Sequence, residues 1–183
     1  MGDFVCPLKI GDCVNNTQIC KIFFCSPQGG MRRSRRTKTL VLISDHTQQT
    51  QQTSGFINPF NPYLDRWTGP IFLYTGMGLK GDQSFYYRQN RTLYESDRNG
   101  VEVHLFEVFD KKKSYKYEYQ GIVKLAGPPY EPYMTTQPDA NGLPRKVCIF
   151  PLKKISAVEE QITVSKEDFD LLQELKKLIA QQK

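Results

Sequence analysis

Short runs of β-branched and aromatic residues, each closed by turn chemistry, constrain this chain more than any other feature. Thr39-Leu40-Val41-Leu42-Ile43-Ser44 and Ile71-Phe72-Leu73-Tyr74 are two of them. Val101 to Phe109 alternates apolar residues with Glu102, His104 and Glu107, the pattern of a half-buried strand. Tyr115 to Leu125 interleaves Tyr115, Tyr117 and Tyr119 with Lys116, Glu118 and Gln120, and Val147-Cys148-Ile149-Phe150 closes the set before Pro151. Arg98-Asn99-Gly100, Asp110 to Ser114 and Gly127-Pro128-Pro129 supply the turns. Strands so spaced predict an α+β chain built on a strongly curved β-sheet or β-barrel with a few helices. One short helix is expected within Gln83 to Tyr94. A second begins at Ser165 with Asp168 as a capping box, and Phe169, Leu172, Leu175 and Ile179 recur at helical spacing. Residues 1–155 therefore read as one domain and 156–183 as an amphipathic C-terminal helix, packed on the barrel or leading to a further domain. His46 to Asn61 and Gly127 to Pro144 read as long surface loops.

The chain has 183 residues, and no apolar run approaches a membrane span, so no membrane partner is expected. Cys6, Cys13, Cys20, Cys25 and Cys148 form no C-x-x-C pair, and no export signal precedes them, which favours free thiols in a reducing cytoplasm. His46 and His104 have no recognisable partner in sequence for zinc or Ser-His-Asp chemistry, and no phosphate-binding G-x-x-x-x-G-K-[ST] loop occurs. No metal, cofactor or catalytic residue is predicted, and binding is the default.

Charge indicates the partner. Lys+Arg 25 against Asp+Glu 19 gives +6. From Cys13 to Ser44 no acidic residue opposes Lys21, Arg32, Arg33, Arg35, Arg36 and Lys38. All but Lys21 fall in Gly29 to Lys38, read here as a glycine-hinged turn whose guanidinium forks suit phosphate oxygens. Arg32, Arg33, Ser34, Arg35, Arg36 and Lys38, with Lys80, are the candidate DNA-backbone contacts. Neutralising four to six phosphates would give a log–log salt slope of roughly −4 to −5.

The stretch Tyr63 to Gln83 carries the most information, through Tyr63, Asp65, Trp67, Tyr74-Thr75-Gly76-Met77-Gly78 and Asp82-Gln83. With Gly30-Met31 before it, and Asn90-Arg91-Thr92-Leu93 and Val101 to Phe106 after it, this order resembles the SRA (SET and RING-associated) domain. The likeness covers roughly residues 29–155 and is strongest to modules attached to bacterial HNH endonucleases that cut modified DNA. It implies an SRA/PUA-like barrel that turns a modified cytosine, 5-methyl or 5-hydroxymethyl, out of duplex DNA. It also implies targeting of modification-dependent restriction by a nuclease domain in cis or in trans.

The implied base pocket comprises Tyr63, Asp65, Trp67, Tyr74, Thr75, Gly76 and Gly78. Two aromatic faces, Tyr74 with Tyr63 or Trp67, would replace lost base stacking, worth about 1–3 kcal/mol. Asp65 would accept from the cytosine N4 amine, which thymine lacks. Thr75 and the backbone N–H groups near Gly76 and Gly78 would complete the polar edge. One buried methyl is worth about 0.8 kcal/mol, so selectivity for the modification should be moderate. Two departures stand out: Tyr63 lies two residues from Asp65 instead of three, and Leu79-Lys80-Gly81 is too short for the eukaryotic plug loop. Reading of a phosphorothioate backbone, or of RNA, remains the alternative. Metal-dependent cleavage by Asp65, Asp82, Glu95 and Asp97 ranks below both, because these acids fall on separate elements.

Overall fold

The run at Thr39–Ser44 forms the strand from which the sheet extends both ways. A computed structural model describes residues 4–47, 62–110 and 116–155. In chain order these carry β1 (Cys13–Val14), α1 (Asn16–Phe23), β2 (Met31–Ser34), β3 (Thr39–Asp45), β4 (Arg66–Thr68) and β5 (Ile71–Thr75). They continue with α2 (Arg88–Tyr94), β6 (Glu102–Val108), β7 (Tyr117–Leu125), β8 (Tyr133–Pro138) and β9 (Pro144–Lys154). The sheet runs β2-β3-β6-β7-β9-β5-β4, with β1 on β7 and β8 on β9. Among the described residues only β3 and β6 pair parallel, in a register that sets Ser44 opposite Glu107. The predicted C-terminal helix and most of the predicted loop after His46 lie outside the described residues.

Among the described residues no ladder joins β2 to β4, so the expected barrel is an unclosed sheet. Its two ends nonetheless meet through side chains. The Tyr74 hydroxyl on β5 donates to the Gly30 carbonyl before β2 at 2.9 Å. Gly30 permits this approach, since a Cβ there would sit 3.2 Å from that hydroxyl oxygen.

The sheet is covered on both faces at its centre. Leu40, Leu42, Leu105, Phe72, Phe150 and Leu152 fill one core. Val41 and Phe106 alternate to the other face and pack with Ile19 and Phe23 of α1. Helix α1 forms there because Asn15 and Gln18 cap each other reciprocally, both bonds at 2.9 Å, and Phe24 ends it at φ 51°. This double coverage corrects the half-buried reading of β6, whose residues Val103 to Val108 are all buried. His104 survives burial by pairing with the Tyr119 hydroxyl and Glu102, each at 2.8 Å.

Two further expectations change. Gly127–Pro144 is not simply a loop, since β8 within it pairs with β9 from Tyr133↔Ile149 to Pro138↔Pro144. Pro151 lies inside β9, where its carbonyl accepts from Ala126 N–H at 2.9 Å. Among the described residues no helix is long and apolar enough to cross a membrane.

Candidate nucleic-acid interface

Asp65 enters β4 with its side chain turned into the protein, only 7% exposed. Its Oδ1 accepts from Thr75 N–H at the end of β5 at 2.7 Å. Its Oδ2 accepts from the Ser44 hydroxyl at the end of β3 at 2.8 Å. Burial pushes the Asp65 carboxyl up to about 6, opposed by these bonds and by His46 nearby. The Thr75 side chain is buried close by and likewise favours the ionised form of Asp65.

The turn after β5 is built by side chains that the motif order had only matched. Gln83 donates to the Gly76 carbonyl at 2.6 Å and accepts from Cys148 N–H at 3.0 Å. Asn90 accepts from Met77 N–H at 2.7 Å and donates back to the Met77 carbonyl at 3.2 Å. A Cβ on Gly76 would lie 2.9 Å from both amide side chains, so only glycine fits. Gly78 sits at φ 133°, and its carbonyl is held by Gln83 and Arg145. The Tyr63 phenol is raised by burial, which a hydrogen bond from the Gly78 backbone and nearby Arg145 oppose. Tyr63, Asp65, Thr75, Gly76 and Gly78 thus gather at one place.

Two expected aromatic faces are placed differently. Tyr74 is 3% exposed, lies in the core and spends its hydroxyl on the Gly30 carbonyl, with Ile43 O at 3.5 Å. Trp67 packs on Phe72 with ring centroids 4.9 Å apart, and its indole N–H donates to Glu107 at 3.1 Å.

The basic segment also requires a correction. Met31–Ser34 is a strand, not a hinged loop, because it pairs with β3 from Met31↔Leu42 to Ser34↔Thr39. Arg32 is buried, donating to Gly29 O at 2.8 Å and to Asn16 Oδ1 at 2.6 Å. Arg33 is tied to the Ser34 and Thr39 carbonyls, and Ser34 is buried. Arg35, Arg36 and Lys38 are exposed at the hairpin tip, Arg36 lying 3.8 Å over the Phe24 ring. Lys80 is exposed on the Gly76–Gln83 turn.

The four acids weighed for metal do not converge. Asp82 accepts from Lys146 N–H, and Glu95 pairs with Arg91 and Arg98. No group of three His, Cys, Asp or Glu among the described residues could hold a metal ion. Sequence reasoning missed Ser44, His46 and Glu107. His46 Nε2 lies 2.8 Å from Glu107 Oε1 and 3.3 Å from Ser44 Oγ. Nothing local announces a contact across 61 positions.

The family described as "ScoMcrA-like, SRA domain" matches residues 11–174. Among solved structures, the sulfur-binding and SRA domains of ScoMcrA with phosphorothioated DNA superpose at TM-score 0.60 and 16% identity, over 84% of this chain and 42% of that one. The modification-dependent TagI restriction endonuclease gives 0.56 and 20%, over 84% and 52%. KRYPTONITE in complex with mCHG DNA and SAH gives 0.51 and 16%, over 85% and 35%. This chain therefore spans about half or less of each. No curated protein matches it.

Proposed function

The chain belongs to the ScoMcrA-like SRA domain family, and from that membership we propose that it binds modified duplex DNA as a noncatalytic reader. The base it takes out of the helix is a 5-methyl- or 5-hydroxymethylcytosine, lodged beside Asp65, Thr75, Tyr63 and the Gly76–Gly78 turn. The buried Asp65 carboxylate carries this reading. Burying an anion is costly, and this one lies beside the Thr75 and Ser44 hydroxyls, at a turn that brings backbone close, with no metal-ligand cluster among the described residues. Such a group suits recognition of an exocyclic amine, which offers N–H donors where thymine offers an acceptor.

Tyr63 supplies one stacking face in this reading. Tyr74 stays in the core in this reading, where its hydroxyl holds the sheet ends together. The exposed Arg35, Arg36, Lys38 and Lys80 contact phosphates. A nuclease domain, in cis or in trans, would use the address so read.

Fluorescent duplexes bearing cytosine, 5-methylcytosine, 5-hydroxymethylcytosine or one phosphorothioate, titrated at several salt concentrations, test the proposal. Preference for a modified cytosine that Asp65→Ala abolishes is the expected result. Preference for the phosphorothioate alone would favour backbone reading, in keeping with the DNA in the ScoMcrA complex. Equal affinity for all four duplexes would defeat both.

A further inference from the structure

We infer that Ser44, His46 and Glu107 form a relay that orients the Asp65 carboxylate as an acceptor, making base discrimination depend on residues set behind the pocket. The inference rests on the reading of Asp65 as the base-sensing group.

The proton directions follow from the donors. An indole N–H can only donate, so Glu107, which faces Trp67 Nε1 at 3.1 and 3.3 Å, is the acceptor there. Glu107 Oε1, already the acceptor for the indole, is also 2.8 Å from His46 Nε2, which places the proton of that contact on the imidazole nitrogen. A protonated Nε2 has no lone pair for Ser44, 3.3 Å away. The Ser44 hydroxyl proton is therefore directed to Asp65 Oδ2, its other partner at 2.8 Å. The same direction holds whether or not Nδ1 is protonated.

Packing fixes the relay. Phe109 stacks on the His46 ring at 5.2 Å and 14°, and Phe72 meets it edge-on at 6.4 Å. The side chains of His46 and Glu107 are only 10% and 3% exposed, which leaves little room for water to replace either. Parallel pairing of β3 with β6 sets Ser44 opposite Glu107, so register delivers the geometry. Burial and the Asp65 charge both raise the neighbouring Tyr63 and Tyr74 phenols, which stay protonated. His46 acts on Asp65 in the direction the relay needs, favouring its ionised form.

Carbon-13 NMR titration of the Asp65 carboxyl in the DNA-free full chain tests this, alongside duplex binding. Ser44→Ala and His46→Phe should each raise the Asp65 midpoint by about one pH unit. Both should lower the preference for modified cytosine at pH 6.5 several-fold with an unchanged salt slope. Ser44→Thr, which keeps the hydroxyl, should restore both values. A folded His46→Phe protein with an unmoved midpoint would overturn the relay. If His46→Phe does not fold, an unmoved midpoint in Ser44→Ala overturns it instead. Shifted midpoints in a protein whose wild type shows no base preference would uphold the relay while sinking the base-reading role.

Discussion

Asp65 is a carboxylate the fold would be more stable without. Its folded value of about 6 stands above the ordinary 3.8, so the protonated form favours folding. That contribution is complete below the unfolded value and is lost as pH rises through about 6. A gap of roughly two units corresponds to about 3 kcal/mol at most. Asp65→Asn keeps the shape and an acceptor for Thr75 N–H while removing the buried charge. Urea denaturation at pH 8 should show it more stable than wild type by about 1–2 kcal/mol, with the gain gone at pH 4. A penalty of equal size at both pH values would mean the charge is not what strains the site. In DNA binding the sign reverses, because the amine needs the ionised form: preference for modified cytosine should fade as pH drops below about 6. Tyr74 behaves differently. Tyr74→Phe leaves the Gly30 carbonyl without its 2.9 Å donor and should cost about 1–2 kcal/mol of stability at every pH.

The β2–β3 hairpin separates two kinds of arginine that look alike in sequence. Arg32 and Arg33 point their donors at Asn16 and at backbone carbonyls, whereas Arg35 and Arg36 stand at the tip, where Thr37 anchors the turn to the Phe23 carbonyl at 3.0 Å. Replacing Arg35 and Arg36 together by Ala should weaken binding to all duplexes alike and flatten the log–log salt slope by about 1.8. Arg32→Ala should instead lower stability by about 1–3 kcal/mol with little change in slope. Anisotropy titrations across a salt series, paired with denaturation curves, separate the two, and a reversed outcome would show the hairpin lying away from DNA. The same hairpin shows what was legible. Thr39–Ser44 is written in β-branched residues and was read correctly, while Met31–Ser34 carries charge and becomes a strand only because β3 lies beside it. Strand β8 was hidden by its flanking prolines and by polar residues that pair with β9 alone. Helix α1 did carry a local sign, Asn15 with Gln18 ahead of Ile19 and Phe23, obscured by the cysteines around it. Asp65, Thr75 and the glycine turn were legible by order along the chain; His46 and Glu107 were not, since only parallel pairing of β3 with β6 brings them together.

Across the whole molecule the site lies on a seam. Strands β2 and β3 stand toward one end of the sheet and β5 and β4 at the other. They are joined by Ser44 to Asp65 at 2.8 Å and Tyr74 to Gly30 at 2.9 Å, where a closed barrel would have a backbone ladder, and Trp67 of β4 reaches Glu107 of β6 at 3.1 Å. Side-chain bridges open at less cost than the doubly covered strands at the centre, and such low-stability regions are where ligands exert most leverage. A flipped base seated there contacts both ends at once, so binding should close the seam and not merely cover it. With a saturating modified duplex, exchange of the amides of Arg66–Thr68, Thr75 and Gly76 should slow by a factor near 1 + [L]/Kd, about 100-fold at 100 times Kd. The unmodified duplex, held by charge, should protect Arg35 to Lys38 and leave the seam amides nearly unchanged. Hydrogen exchange read by mass spectrometry distinguishes the cases. Protection confined to the hairpin tip with both duplexes would mean that DNA is gripped by its phosphates alone, and that the buried acid serves something other than a base.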